Sequence, residues 1–235
     1  MKSPSENILR FDPEAHKYWI GKKRIPGVSE IMQKVGLAKN YDGVDPFYRD
    51  RGIATHKAIE LYLKGILDQS SLDPAIKPCF EAFLAYQKEH PLGKVLALEK
   101  PMVDASESFS GTPDLITDRA IFDWKCSKSH DKVAELQGQA YKILSLHTIK
   151  ETLLKFPFIV VELHADDATY TEFNYGSEYE EWESVMNLYR WKTKRPSPAS
   201  SASLKRGLSY SVELWSKRFW KAGRRRCGSV KAAQI

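Results

Sequence analysis

Apolar and polar positions along the chain follow two periods, and the changes of period divide it into segments. Between His16 and Ile25, a short alternating run broken at Gly21-Lys22-Lys23 predicts a hairpin. A brief helix is expected from about Val28, stopping at Gly36. Over residues 51–67, Ile59, Leu63 and Ile66 share one helical stripe, and His56 lies on it three residues before Ile59. Asp73-Pro74 reads as an N-cap followed by proline at the first helical position. That helix buries Ile76, Phe80, Phe83, Leu84 and Gln87 and ends before Pro91. Three extended runs follow: Val95 to Val103, Asp114 to Thr117, and Ala120 to Cys126. A helix from about Asp131 to Lys150 leads to two more alternating runs, Phe158 to His164 and Thr169 to Tyr175. Ser177-Glu178-Tyr179-Glu180 is a capping box, and the helix after it buries Trp182, Val185, Met186 and Tyr189. Helices on either side of a central group of strands predict an α/β domain with a central mixed β-sheet flanked by helices.

Composition narrows this picture. With 235 residues and 42% hydrophobic content, the chain can bury one sizeable core. No run of eighteen apolar residues occurs, and no apolar stretch precedes Ile8, so neither a membrane span nor a secretory signal is expected. The three cysteines, at 79, 126 and 227, form no CxxC pair. They cannot build a disulfide scaffold or a four-cysteine zinc or iron–sulfur site within one chain. A cytoplasmic setting follows as the expectation.

The net charge of +6 is unevenly placed. Residues 196–235 hold nine Lys or Arg against one Glu, a balance of +8, which leaves −2 on residues 1–195. The stretch from Arg195 to Ser203 is linker-like in its Ser, Pro and Ala content. The expected organisation is therefore one domain over 1–195 and a basic, Ser/Pro-led tail over 196–235. Arg224-Arg225-Arg226, near Trp215, Phe219 and Trp220, would suit phosphate contacts, although a solvated extension is the plainer reading.

The chemistry concentrates in the middle of the chain. If Asp118-Arg119 is a two-residue hairpin loop, Thr117 faces Ala120 and Asp114 faces Asp123. Opposed positions on one face stand roughly 5 Å apart at Cβ. Two carboxylates so placed repel each other, and a divalent cation removes the conflict. Hard oxygen ligands describe a magnesium or manganese site. Glu99 could add a third carboxylate, and Lys125, two residues from Asp123, shares its face. Such a cluster suits phosphodiester hydrolysis. A hairpin bearing surface Asp and Lys is the plain alternative, and Asp-x-Lys alone is a weak signal. Gln137 and Tyr141, at i and i+4, share a helix face and could both hydrogen-bond a phosphate, unless Tyr141 is core and Gln137 faces solvent.

In order, Arg51-Gly52-x3-His56, Glu99, Gly111-Thr112-Pro113-Asp114, Asp123-Trp124-Lys125 and Gln137-x3-Tyr141 resemble the PD-(D/E)xK nuclease superfamily in its RecB-like exonuclease branch. The stretch Phe11 to Met32, with His16-Lys17-Tyr18 and Ile25-Pro26-Gly27-Val28-Ser29, resembles the opening of phage-type members, with Gly27 where many carry Ser. The resemblance implies a restriction-endonuclease-like core and a Mg2+- or Mn2+-dependent deoxyribonuclease acting in DNA recombination, repair or phage DNA processing. It implies Asp114, Asp123 and Lys125 as the catalytic set. His56, Glu99, Asp114, Asp123 and the Trp124 carbonyl would form the metal shell, with Arg51, Gln137 and Tyr141 on the substrate. The iron–sulfur cluster of some relatives has no cysteines to hold it here. The implied partner is single- or double-stranded DNA, with room for a recombination or single-strand-binding protein, in a bacterial or phage-infected cell. The alternatives are an inactive DNA-binding or assembly module on the same fold, and an endonuclease of the superfamily.

Overall fold

A computed structural model describes residues 8–38, 45–104, 106, 108–126, 132–149, 156–176 and 180–194. The unit Met1–Thr193 contains all of these except Lys194. The basic tail with its linker, and the first three residues of the capping box, lie outside the described residues.

The N-terminal hairpin is a three-stranded meander of β1 (Leu9–Asp12), β2 (Lys17–Ile20) and β3 (Lys23–Ile25), one strand more than the pattern suggests. Its inward positions, Tyr18, Ile20 and Ile25, form a small apolar cluster backed by Leu9 and Phe11. Helix α1 (Val28–Val35) follows and stops at Gly36 as expected.

Helix α2 (Pro46–Leu63) departs from its expected bounds at both ends. It starts earlier, because Asp45 caps the Phe47 amide (2.9 Å) and Pro46 occupies the first turn. It also ends earlier, because Gly65 turns left-handed at φ 71°. Ile66 is therefore thrown off the buried stripe and is 68% exposed. Helix α3 (Lys77–Glu89) begins later than Asp73-Pro74 suggests; Asp73 instead caps a turn, accepting from the Ala75 amide at 2.8 Å. Its buried face holds Phe80 and Phe83, with Tyr86 buried beside them.

The central sheet has the order β10-β9-β8-β7-β4. Its strands are β4 (Val95–Leu98), β7 (Leu115–Thr117), β8 (Ile121–Lys125), β9 (Phe158–Leu163) and β10 (Tyr170–Tyr175). All neighbours are antiparallel except β8 and β9, which are parallel across the crossover helix α4 (Lys132–Ile149). The expected strand Val95 to Val103 is interrupted at Glu99, where φ is 45°, and resumes as β5 (Met102–Val103) paired with β6 (Ser110–Gly111). Helix α5 (Glu181–Thr193) buries Trp182, Val185 and Met186, as its pattern predicts, while Tyr189 is only half-buried.

Side chains alternate across the strands, so the sheet has two apolar faces. Ile116, Ile121, Phe158 and Val160 pack with α1, α4 and α5. Leu115, Phe122, Trp124, Val161 and Leu163 pack with α2 and α3. The fold is thus the α/β class expected, with a mixed sheet between helical layers. Among the described residues, no helix is long and apolar enough to cross a membrane.

Candidate metal centre and active site

The hairpin β7–β8 carries the core of the site. Leu115 pairs with Phe122 and Ile116 with Ile121, the register set by a two-residue loop at Asp118-Arg119. The Thr117 hydroxyl fixes that loop, accepting from the amides of Arg119 and Ala120 at 3.2 Å each. The ladder ends at the Leu115–Phe122 pair, so Asp114 and Asp123, expected to face each other, lie one position beyond the paired residues. Their carboxylates are held differently. The Asp114 Oδ2 accepts from the Trp124 amide at 2.7 Å, while Asp123 Oδ2 meets Lys125 Nζ at 2.5 Å. Both aspartates are buried.

Two other elements close on Asp114. From α2, His56 brings its Nδ1 to 3.4 Å from Asp114 Oδ1 and 4.0 Å from Glu99 Oε1. The left-handed turn at Glu99, beyond β4, is pinned by a bond from the Glu99 amide to the Asp114 carbonyl at 2.9 Å. One ligand atom from each of His56, Glu99 and Asp114 lies within 4.8 Å of the others. Asp123, expected as a principal ligand, is not a member of this trio; its carboxylate is taken by Lys125 and Gln137.

The electrostatics are those of crowded charge. Burial, then the Asp114 charge, push the Glu99 carboxyl up to about 8. Burial works to lower the His56 imidazole, but the Asp114 charge and hydrogen bond outweigh it and lift it to about 9. Burial also raises Asp123, with Lys125 opposing and Asp114 reinforcing. Asp114 goes the other way: His56, Lys125 and the Trp124 amide together overcome its burial and hold it low. Glu99, Asp114 and the His56 imidazole, with the Asp123 charge acting on them, thus resist full ionisation together.

That donor set fits a small divalent cation. Ligands on an octahedral magnesium or manganese stand roughly 3 to 4 Å apart, given metal–oxygen distances of about 2.1 Å. The His56 contacts at 3.4 and 4.0 Å fall in that range. Carboxylates suit hard dications and an imidazole suits later transition metals, so the donor set admits a metal ion without choosing which.

On α4, Gln137 and Tyr141 are joined, with the Gln137 amide donating to Tyr141 Oη at 2.9 Å and reaching Asp123 Oδ1 at 3.3 Å. Both are buried: Gln137 is not solvent-facing, while Tyr141 belongs to the apolar core, as the plain alternative had it. Gly111 makes room for this face of α4: a Cβ there would lie 2.9 Å from the Tyr141 ring and 3.0 Å from Leu144. Trp124 turns its indole into the core against Phe83 and Phe122. Arg51 donates to the carbonyl of Cys126, just past Lys125 at the end of β8, at 3.0 Å.

Sequence reasoning gave no role to the chain His16–Tyr18–Thr112. The Tyr18 hydroxyl contacts Thr112 Oγ1 at 2.9 Å and His16 Nε2 at 3.2 Å. It ties the N-terminal meander to the loop that presents Asp114, and His16 lies within the field of that carboxylate. His16 is a left-handed turn residue at φ 48° just before β2, so strand alternation gives no signal for its contact with Tyr18. The partner, Thr112, has no local signature.

No family model matches the chain, and no curated protein matches it. Among solved structures, the chain is similar to the crystal structure of LHK-Exo in complex with dAMP, at 12% identity and a TM-score of 0.37, covering 84% of this chain and 94% of that one.

Proposed function

We propose that this chain is a metal-dependent deoxyribonuclease that removes nucleotides from DNA ends. The observation that carries the reading is the convergence of His56, Glu99 and Asp114 beside the Asp123–Lys125 pair. Three carboxylates crowded together disfavour one another unless a cation joins them. A lysine held at their edge can stabilise the negative charge that develops on a phosphoryl group.

In this reading His56, Glu99, Asp114 and Asp123, with the Trp124 carbonyl, hold Mg2+ or Mn2+. A bound dication supplies charge stabilisation at the phosphoryl oxygens and a more acidic water. Lys125 orients the attacking water and adds positive charge beside the phosphate. Gln137 fixes the Asp123 carboxylate and, through Tyr141, keeps α4 seated over it. Arg51 lies where a strand passing the end of β8 would meet it. The domain spans 1–195, and the basic tail over 196–235 adds phosphate contacts to a body of net charge −2. The motif order supports the exonuclease branch, with roles in recombination, repair or phage DNA processing.

The test compares end-labelled linear DNA with closed circular DNA in magnesium, in manganese and in EDTA. Linear DNA is degraded only with metal, and circles survive. Asp123→Ala and Lys125→Ala each lower turnover by orders of magnitude while circular dichroism stays native. Variants that cut as fast as wild type would overturn the assignment.

A further inference from the structure

We propose that Phe47 and Tyr48, braced by Arg51, form a stacking platform for an unpaired base of a DNA single strand leading to the metal centre. The inference deepens the nuclease reading and rests on it for the identity of the strand.

Two large rings stand side by side at the start of α2, 50% and 55% exposed. Their centroids are 5.6 Å apart at an interplanar angle of 76°. The backbone beneath them is fixed by the Asp45 cap on the Phe47 amide. The Arg51 guanidinium lies 5.3 Å from the Tyr48 ring and 5.7 Å from the Phe47 ring. Its Nη2 is anchored on the Cys126 carbonyl. Its buried Nε has no hydrogen-bond partner among the described residues. An aromatic pair with a planar cation across it is what nucleobases stack on, whatever their sequence.

Position supports the same occupant. Cys126, which anchors Arg51, directly follows Lys125. Tyr48 precedes His56 by eight residues on one helix, about 12 Å along its axis. At about 100° per residue Phe47 lies on the opposite side of α2 from His56 and Tyr48 roughly 80° round, so a strand on the rings reaches the site past Arg51 and Cys126, beside Lys125, rather than straight along the helix. The charge balance explains the need: residues 1–195 carry −2, so a body poor in net positive charge gains strand affinity through ring contacts. Only a single strand qualifies, because bases inside a duplex are already stacked on their neighbours.

The experiment measures binding by the full chain in EDTA, where no cleavage occurs. Fluorescence anisotropy follows a labelled oligothymidylate and a labelled blunt duplex, and a 2-aminopurine in the single strand reports stacking. In the Phe47→Ala/Tyr48→Ala variant, single-strand affinity falls roughly tenfold or more, within the range known for loss of base–aromatic stacking. The 2-aminopurine quenching disappears, and duplex affinity is unchanged. Tyr48→Phe, which keeps the π face, binds as wild type. If single-strand and duplex affinities fall together, or neither falls, the platform is refuted. Its fate is separable from that of the nuclease reading. Ring-dependent binding by a protein that cuts no DNA would sink the nuclease alone. Cutting with ring-independent strand binding would sink the platform alone.

Discussion

Replacing Gly111 by Ala tests how the site is packed without touching any group that carries charge. The added Cβ would lie 2.9 Å from Tyr141 Cε1, 3.0 Å from Leu144 Cδ1 and 3.3 Å from Val28 Cγ2. Carbon atoms settle at about 3.5 Å or more, so the Tyr141 ring must retreat by about 0.6 Å. Leu144 is fully buried and Tyr141 nearly so, which leaves little free space for the retreat. Overpacking of this kind costs about 1–3 kcal/mol. For a domain of this size, that lowers the melting temperature by roughly 3–10 °C. The displacement also reaches the chemistry, because Tyr141 Oη is bonded to Gln137 and Gln137 to Asp123. Misplacing a reacting group by 1 Å costs on the order of a hundredfold, so a shift of about half that lowers turnover about tenfold. Urea denaturation and initial rates on end-labelled DNA measure the two effects. Gly52→Ala is the control: nothing lies within 4 Å of a Cβ there, and it sits inside α2. That variant gains up to about 1 kcal/mol from helix propensity. A Gly111→Ala protein as stable and active as wild type, or a Gly52→Ala protein equally damaged, would show the packing argument to be wrong.

Removing divalent cations with EDTA makes stability fall as pH rises from about 5 to 9. The folded protein keeps a proton on Glu99 up to about 8 and on His56 up to about 9, where the unfolded chain releases them nearer 4.5 and 6.5. The native state thus binds more protons across that window, and the slope is on the order of 1 kcal/mol per pH unit. Saturating magnesium deprotonates both groups and flattens the slope, and Asp114→Asn abolishes the cation's effect. Melting curves against pH, with and without metal, check this, and a slope indifferent to magnesium would contradict it. Tyr18→Phe deletes the hydroxyl between His16 and Thr112, costing about 1–2 kcal/mol in urea and loosening the Asp114 loop. A magnesium titration should show weaker binding, and unchanged stability and affinity would mean the contact is incidental.

Local chemistry made the hairpin legible. Two polar residues between alternating runs determine the pairing, and the pairing determines which side chains share a face. The i, i+4 reading of Gln137 and Tyr141 was equally local, and the two side chains are bonded. Other signals were ambiguous because tertiary packing decides between equal candidates. Asp-Pro occurs at 12–13, 45–46 and 73–74; only the second opens a helix directly, while the first caps a turn and the third a turn before α3. Hydrophobic periodicity ran through Gly65 to Ile66, although the left-handed glycine ends the helix. The extended run from Val95 hid the turn at Glu99, which exists to aim one carboxylate. Contacts between distant segments, such as Tyr18 with Thr112, leave no trace in a window of any practical length.

Tyr18 and Thr112 are 94 positions apart, and His56 reaches Asp114 from a separate helix. The β7–β8 turn forms from neighbours in sequence and can close early, on a microsecond scale. The imidazole and the meander arrive only once long loops have closed, the slow part of assembly. Ion capture is therefore coupled to the finished architecture, and a half-assembled chain displays acidic groups without the cage that joins them.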